Sequence, residues 1–298
     1  MGDSIISVSA SIRLIQTHPG GAHKDDFLAC CLLVHLHKAP VLRAEPGEGD
    51  LDDPSVCVVD VGGRHQPEGG NFDHHQLPRD HPPTCALSLV LQHLGLYEDA
   101  RLFCDWLETA EWFDARGPNE TARWLGVDRA VLAQLNSPID ITLLRRFAQS
   151  TRLEQGDPLW QMMQWIGEDL IHYLRDIRSR LDYIDRHARF WALERAGEPL
   201  QALFLPRVEP LPADPSAGLT RYLLRHPPET PTVALVYPDR RGSGYGLARF
   251  NDDARLDFTR VQGEPDVHFA HAGGFVAKTT ATDPGRLRQL IGLALVDR

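Results

Sequence analysis

Val56-Cys57-Val58-Val59-Asp60-Val61-Gly62-Gly63 is the stretch on which the fold turns. Its apolar run, broken only by Asp60, fits a strand buried on both faces of a parallel sheet. An open α/β sheet gathers its ligands at the C-terminal ends of its strands, which is where Asp60 stands. Gly62-Gly63 lets the chain turn, and Asp73-His74-His75 follows beyond this glycine-rich segment.

Upstream, Ile12–Thr17 reads as a strand stopped by His18-Pro19-Gly20-Gly21, a turn that continues neither strand nor helix. Lys24 to His37 then reads as a helix, with Phe27, Leu28, Cys31, Val34 and His35 roughly on one face. Asp25 and Asp26 fall in its first turn, where the helix dipole alone would favour anions. Val41–Ala44 is a second strand candidate, and residues 45–54 read as loop. Downstream of the proline-rich loop Pro78–Pro83, Thr84 is placed to cap a helix reaching about Leu94. Another helix is expected from Glu98 to Phe113, ending near Asp114-Ala115-Arg116-Gly117. The alternation predicts a right-handed βαβ domain.

Residues 137–155 read as helix with loops. Asp157-Pro158 opens a long helix to about Leu193, with Trp160, Met163, Ile166, Leu170, Leu174, Ile177, Leu181 and Ile184 at helical spacing. The remainder is strand-rich, over Gln201–Leu205, Val233–Tyr237, Tyr245–Phe250, Leu256–Thr259 and Val267–Ala270. Arg240–Gly244 reads as a hairpin turn, and Asp283-Pro284 caps a last helix, Gly285–Val296. The expected architecture is an α/β domain with a mostly parallel sheet (1–155), a long helical connector (156–198) and a smaller α+β domain (199–298).

Composition is ordinary for a globular chain: 298 residues, 42% apolar and 24% charged. No run approaches the roughly 18 apolar residues of a membrane span, so no membrane partner is expected. The N-terminus lacks a basic region followed by a long apolar core, so no signal peptide is expected. Ile6 stands where a myristoylation motif needs Ser or Thr. Cys30, Cys31, Cys57, Cys85 and Cys104 are odd in number and form no CxxC, which predicts buried reduced thiols and a cytoplasmic location. The net charge of −10 argues against a broad grip on nucleic acid. Residues 199–298 hold 12 basic and 11 acidic side chains, so the acidity belongs to the rest of the chain.

The chemistry-bearing residues are His18, His23 and Asp25 in one turn and helix start, Asp60, then Asp73, His74 and His75, and Asp114. Singly, each is ordinary surface or satisfied core. Together they supply oxygen and imidazole ligands without thiolate, the pattern of a divalent-cation site for Mn²⁺ or Mg²⁺, with Zn²⁺ and Fe²⁺ also open.

These motifs resemble the DHH phosphoesterase superfamily and, within it, the melanocyte proliferating gene (Myg) family of metal-dependent hydrolases. The resemblance is carried by Thr17-His18-Pro19-Gly20-Gly21-Ala22-His23-Lys24-Asp25-Asp26, Val58–Gly63, Asp73-His74-His75-Gln76 and Phe269-Ala270-His271-Ala272-Gly273-Gly274-Phe275, in family order. It implies a DHH-type catalytic domain with two cations. His18, His23 and Asp60 would hold one. Asp25, Asp60, His74 and Asp114 would hold the other, with Asp60 bridging. Asp73 would orient a neighbouring imidazole, and His75 would face the phosphate. His271, Gly273, Gly274 and Lys278 would close over substrate from the second domain, although Gly273-Gly274 also reads as a plain tight turn. The chain departs from the family at Asp26, where Glu is usual, and at Ala277-Lys278, where Gly-Gly is usual. It departs again at Asp114-Ala115-Arg116-Gly117, which stands for Asp-Asn-Gly and leaves Glu111 a competing ligand.

The implied activity is phosphodiester hydrolysis by a two-metal-activated water, as a 3′–5′ exonuclease or oligonucleotide phosphodiesterase on short RNA or DNA. Two alternatives remain open. One is a pyrophosphatase or a phosphodiesterase of small nucleotides such as cyclic dinucleotides. The other is a metal- or partner-binding protein whose catalysis has decayed.

Overall fold

Short parallel strands flanked by helices make the first of two compact units, residues 1–175 and 176–298. The computed structural model describes residues 11–135, 137–195 and 197–296. The expectations about a leader and lipid attachment fall on residues 1–10, outside the described residues.

The first unit runs β1 (Leu14–Thr17), α1 (Lys24–His37), β2 (Val41–Arg43), α2 (Glu48–Leu51), β3 (Val56–Val59), β4 (His65–Gln66), a 3₁₀ turn (Pro67–Gly69) and β5 (Asn71–Phe72). Helices α3 (Ala86–His93), α4 (Tyr97–Phe103), α5 (Leu107–Leu125), α6 (Arg129–Gln134) and α7 (Pro138–Gln149) follow, then β6 (Arg152–Leu153) and α8 (Pro158–His187). The sheet order is β4-β5-β3-β1-β2-β6. Pairs β1–β2, β1–β3 and β3–β5 are parallel, while both edges, β4–β5 and β2–β6, are antiparallel. Strands β1 and β3 are buried at every position, as their unbroken apolar runs require. Helix α8 packs on α1 so closely that a Cβ at Gly167 would stand 2.1 Å from the Cys31 carbonyl oxygen.

The second unit contains β7 (Arg189–Arg195), β8 (Glu198–Phe204), α9 (Leu219–Arg225), β9 (Thr232–Pro238), β10 (Tyr245–Arg249), a 3₁₀ turn (Phe258–Val261), β11 (Val267–Ala270), β12 (Val276–Thr279) and α10 (Pro284–Ala294). Its sheet order is β11-β12-β10-β9-β8-β7, antiparallel except at β8–β9. Leu247, Val236, Phe258 and Ala277 pack with Leu287 and Ile291 of α10 into its core.

Several local expectations are corrected. The loop at 45–54 holds α2, because the Asp50 carboxylate accepts from Gly47 N (2.9 Å) and Leu51 turns inward. Thr84 does not cap α3; its hydroxyl donates to the Pro82 carbonyl. The helix expected over 98–113 is two, α4 and α5, and α5 resumes past a break at Gly117 (φ 77°). The connector expected over 156–198 is not helical throughout: α8 ends at His187, and Arg189–Arg195 is a strand paired with β8. Leu256–Thr259 is no strand, since Asp257 accepts from Thr259 N and starts a 3₁₀ turn. The boundary between the units falls inside α8. All five cysteines are buried and free. Among the described residues, no helix is long and apolar enough to cross a membrane.

Candidate metal centre

Strand β3 stops at Val59 because Asp60 takes φ 59°, in the left-handed region. A non-glycine residue sits there at a cost of about 1–3 kcal/mol, and such strain collects at functional sites. Asp60 N donates to the Phe72 carbonyl (3.0 Å), which holds the conformation. The buried carboxylate then faces two imidazoles at once. Oδ1 lies 3.1 Å from His74 Nε2, and Oδ2 lies 3.5 Å from His18 Nε2. One carboxylate thus stands between two imidazole groups.

His18 and His23 flank the turn between β1 and α1. The His18 ring donates from Nδ1 to the Pro19 carbonyl (2.9 Å), which turns Nε2 toward Asp60. The turn is pinned by Arg43 at the end of β2. Its buried guanidinium donates to the carbonyls of Gly20 (3.2 Å), Gly21 (2.9 Å) and Phe147 (3.1 Å), and it lies over the Phe147 ring. Sequence reasoning passed over Arg43, whose only signal was a charge closing an otherwise apolar strand. Asp26 serves the same turn. Its Oδ1 accepts from His23 N and Phe27 N, both at 2.8 Å, and its Oδ2 stands 3.3 Å from His18 Nε2. The shorter Asp, where the family usually has Glu, thus fits the helix start directly.

The second group is more deeply buried. Asp25 Oδ1, Asp60 Oδ1, His74 Nε2 and Asp114 Oδ2 are all shielded from solvent, and none has a hydrogen-bond partner. His74 Nε2 stands 2.8 Å from Asp114 Oδ2, a close contact but not one aligned as a hydrogen bond. The other oxygen of Asp25 is engaged, accepting from Ala86 N (3.3 Å) at the start of α3. Among the described residues, three sets have ligand atoms within 4.8 Å of one another: His18, His23 and Asp60; Asp60, His74 and His75; and Asp25, Asp60, His74 and Asp114. The structure brings Asp114, rather than Glu111, to this cluster. Glu111, a turn earlier on α5, accepts instead from the Ser88 and Tyr97 hydroxyls (2.6 and 2.8 Å).

The electrostatics match. Burial, reinforced by Asp60 and Asp114, pushes the Asp25 carboxyl well above its ordinary range. Asp26 and Asp60 raise His18 to about 10. Burial opposes protonation of His74, but Asp114 and Asp60 outweigh it and raise that ring also to about 10. Burial works against the Asp60 and Asp114 carboxylates too, yet their imidazole neighbours hold both below the ordinary range. Without a cation, then, the crowded carboxylates recruit protons onto histidine. Unpartnered buried oxygens and an unpartnered imidazole nitrogen, sharing one carboxylate, fit divalent cations.

Beside this cluster, Asp73 Oδ1 accepts from His75 Nδ1 (2.7 Å) and Asp73 Oδ2 from Gly63 N (2.6 Å). His75 itself is exposed. A cavity of about 180 Å³ opens here, lined by His74, His75, His81, Asp114 and Arg116 among others.

In the second unit, Gly273 N donates to His271 Nδ1 (3.0 Å). Gly274 takes φ 69°, and a Cβ there would stand 2.2 Å from Asp257 Oδ1, so the tight turn by itself requires glycine. Lys278 does not join this turn. It pairs with Asp239 (3.0 Å) and lines a separate cavity.

Residues 14–86 match the model of an uncharacterised protein family, UPF0160 (MYG1_exonuc). The chain is 34% identical over 88 residues to the MYG1 protein of Chlamydia muridarum, covering 28% of this chain and 30% of that one. It is 40% identical over 67 residues to the MYG1 exonuclease of Bos taurus, covering 21% of this chain and 16% of that one. The match therefore spans less than a third of the length of these curated relatives. A solved pGpG-specific phosphodiesterase from Vibrio cholerae aligns over 94% of this chain and 97% of its own at 12% identity, with a TM-score of 0.31, too loose a likeness to bear on fold or site. The Myg resemblance read from the motifs is thus found again over residues 14–86.

Proposed function

We propose that this chain is a divalent-metal-dependent phosphodiester hydrolase of the cytoplasm, acting on short RNA or DNA as an exonuclease or oligonucleotide phosphodiesterase. One observation carries the reading: four buried ligand atoms that form no hydrogen bond, Asp60 Oδ1 among them, converge on one point, and a second histidine-bearing turn faces the same carboxylate. The curated relatives named exonucleases support the substrate class, and the buried free thiols accord with a reducing compartment.

His18, His23 and Asp60 would hold one cation; Asp25, Asp60, His74 and Asp114 would hold the second. Three carboxylates and three imidazoles without a thiolate favour Mn²⁺, with Mg²⁺, Zn²⁺ and Fe²⁺ as competitors. Such ions, when bound, supply Lewis acidity to a phosphoryl oxygen and acidify water near neutral pH. The protein's own groups do the rest. Asp73 accepts the Nδ1 proton of His75 and fixes the ring; in its imidazolium form the ring would also carry an Nε2 proton to donate toward a phosphate oxygen. Arg43 and Asp26 keep the two histidines of the first turn in register with Asp60.

The test is hydrolysis by purified protein with Mn²⁺. End-labelled RNA and DNA oligomers, pyrophosphate and a cyclic dinucleotide would be compared. Mononucleotide release from the oligomers, abolished by a chelator, is expected. Absence of metal-dependent cleavage of every one of these substrates would sink the reading.

A further inference from the structure

The second unit carries a cavity of about 660 Å³ that the metal centre does not use. It lies between the β9–β10 turn and strands β11 and β12, and Asp239, Arg241, Ser243, His268, Phe269 and Lys278 contribute to its walls. The strand register places it at the Tyr245–Thr279 end of the β10–β12 pair. The His271–Phe275 turn lies at the opposite end of β12 and lines none of this cavity, though the Phe269 ring meets His271 edge-on with centroids 6.5 Å apart.

Three features make it a prepared site rather than a crevice. First, its turn is rigid. The Arg207 guanidinium donates to the carbonyls of Asp239 (2.9 Å), Gly242 (2.6 Å) and Gly244 (3.3 Å) from behind. A Cβ at Gly244 would also stand 1.8 Å from the Thr279 carbonyl oxygen, so the turn is pressed onto β12. Second, its walls are cationic on a chain of net charge −10. Lys278 is pre-set by Asp239, whereas the exposed Arg241 guanidinium has no hydrogen-bond or ion-pair partner among the described residues. Third, β11 is irregular between Val267 and Phe269, and the bulge turns both His268 and Phe269 toward the cavity. Phe269 is 44% exposed, an apolar ring left in solvent on an edge strand.

A cation fork beside an exposed aromatic plane suits a ligand with a charged group and a flat ring. We propose that this cavity binds a nucleoside phosphate, with the phosphate on Arg241 and Lys278 and the base stacked on Phe269. The site needs no metal, so it stands or falls independently of the hydrolytic reading.

Calorimetric titration of the full chain separates the two. The Asp60→Asn protein, held in chelator, is titrated with AMP, adenosine and inorganic phosphate. AMP should bind more tightly than either fragment. Arg241→Ala, at an exposed position, should weaken AMP and phosphate alike by about tenfold or more. Phe269→Ala should weaken AMP by about tenfold and leave phosphate unchanged. No AMP binding in chelator, or AMP binding indifferent to both substitutions, overturns the proposal. Phosphate binding as tightly as AMP, with Phe269→Ala neutral, overturns the nucleoside half of it.

Discussion

The buried carboxylate cluster of the first unit and the carboxylates of the second are treated in opposite ways. In the second, carboxylates meet arginines of the same unit. Arg286 pairs with Glu264 and Asp266 at 2.6 and 2.7 Å, and Arg255 pairs with Asp253 and Glu198. These partners hold the Asp266 and Asp253 carboxyls below their usual range. In the first unit, Asp25, Asp60 and Asp114 crowd one buried point and present unpartnered oxygens, while Arg43, the nearby guanidinium, lies 3.6 Å from Asp26 and spends its donors on backbone carbonyls. Buried charge that a chain does not neutralise itself must be neutralised from outside or by protons. The contrast therefore locates where a cation belongs.

The severest way to break that contrast is to remove the shared carboxylate. Asp60→Asn should lower hydrolysis on the order of a thousandfold and release both ions, because each proposed set contains Asp60. Asp266→Asn, which removes a partnered carboxylate of the second unit, should change neither. Metal analysis of the two variants after gel filtration makes the comparison. Two ions retained by the Asp60 variant would remove the basis of the argument.

Acidity gives the next largest effect, and its sign differs with and without cation. In the metal-free chain His18 and His74 have folded pKa values of about 10, above the ordinary imidazole value of 6.5. Their contribution to stability is full below about 6.5 and is lost as pH rises toward 10. Asp25, also raised, acts in the same direction from its ordinary range upward. Cation binding instead needs neutral imidazole and ionised carboxylate, so it strengthens over the same range and releases protons. Between pH 6.5 and 9.5 the melting temperature should fall in chelator, while the increment conferred by Mn²⁺ grows. Parallel curves would mean that the ions bind elsewhere.

A subtler probe asks whether the arginine of the first unit is structural or organising. Arg43→Lys keeps the charge but loses the planar fork that reaches three carbonyls. Metal affinity should fall about 10–100-fold, the range for residues that position ligands, with an altered Mn²⁺ EPR signal. An equal loss of thermal stability with an unchanged spectrum would assign Arg43 to the fold alone.

Much of this contrast was legible in the residues. The apolar run at Val56 announced a buried strand, and the Pro-Gly-Gly turn before Lys24 announced the start of α1. What stayed hidden depended on tertiary partners. The helix end expected near Asp114–Gly117 is a break at Gly117, which leaves Asp114 in the last turn before it; what stayed hidden is the second helical segment that Pro118 begins. Trp191 and Leu193 extend an apolar pattern that local reasoning carries on as α8, whereas pairing with β8 makes them strand. Strand β12 is too short for its alternation to stand out, and only pairing with β10 and β11 makes Val276–Thr279 a strand. Arg43 had no meaning until the carbonyls of Gly20 and Gly21 stood beside it.

The smallest expected effect tests the other side of the comparison, the claim that pairing in the second unit is local. Lys278 and Asp239 are 3.0 Å apart, and the lysine is partly open to solvent. Screening and side-chain entropy leave such pairs with about 0.2–1 kcal/mol. A double-mutant cycle with Lys278→Met and Asp239→Asn should return a coupling in that range from denaturant unfolding. The Mn²⁺ affinity of each variant should match that of the parent, because neither residue belongs to a ligand set. A coupling of several kcal/mol, or a change in metal affinity, would show that this pair does more than answer its own charge, and the division between a self-neutralised unit and one that needs cations would lose its second half.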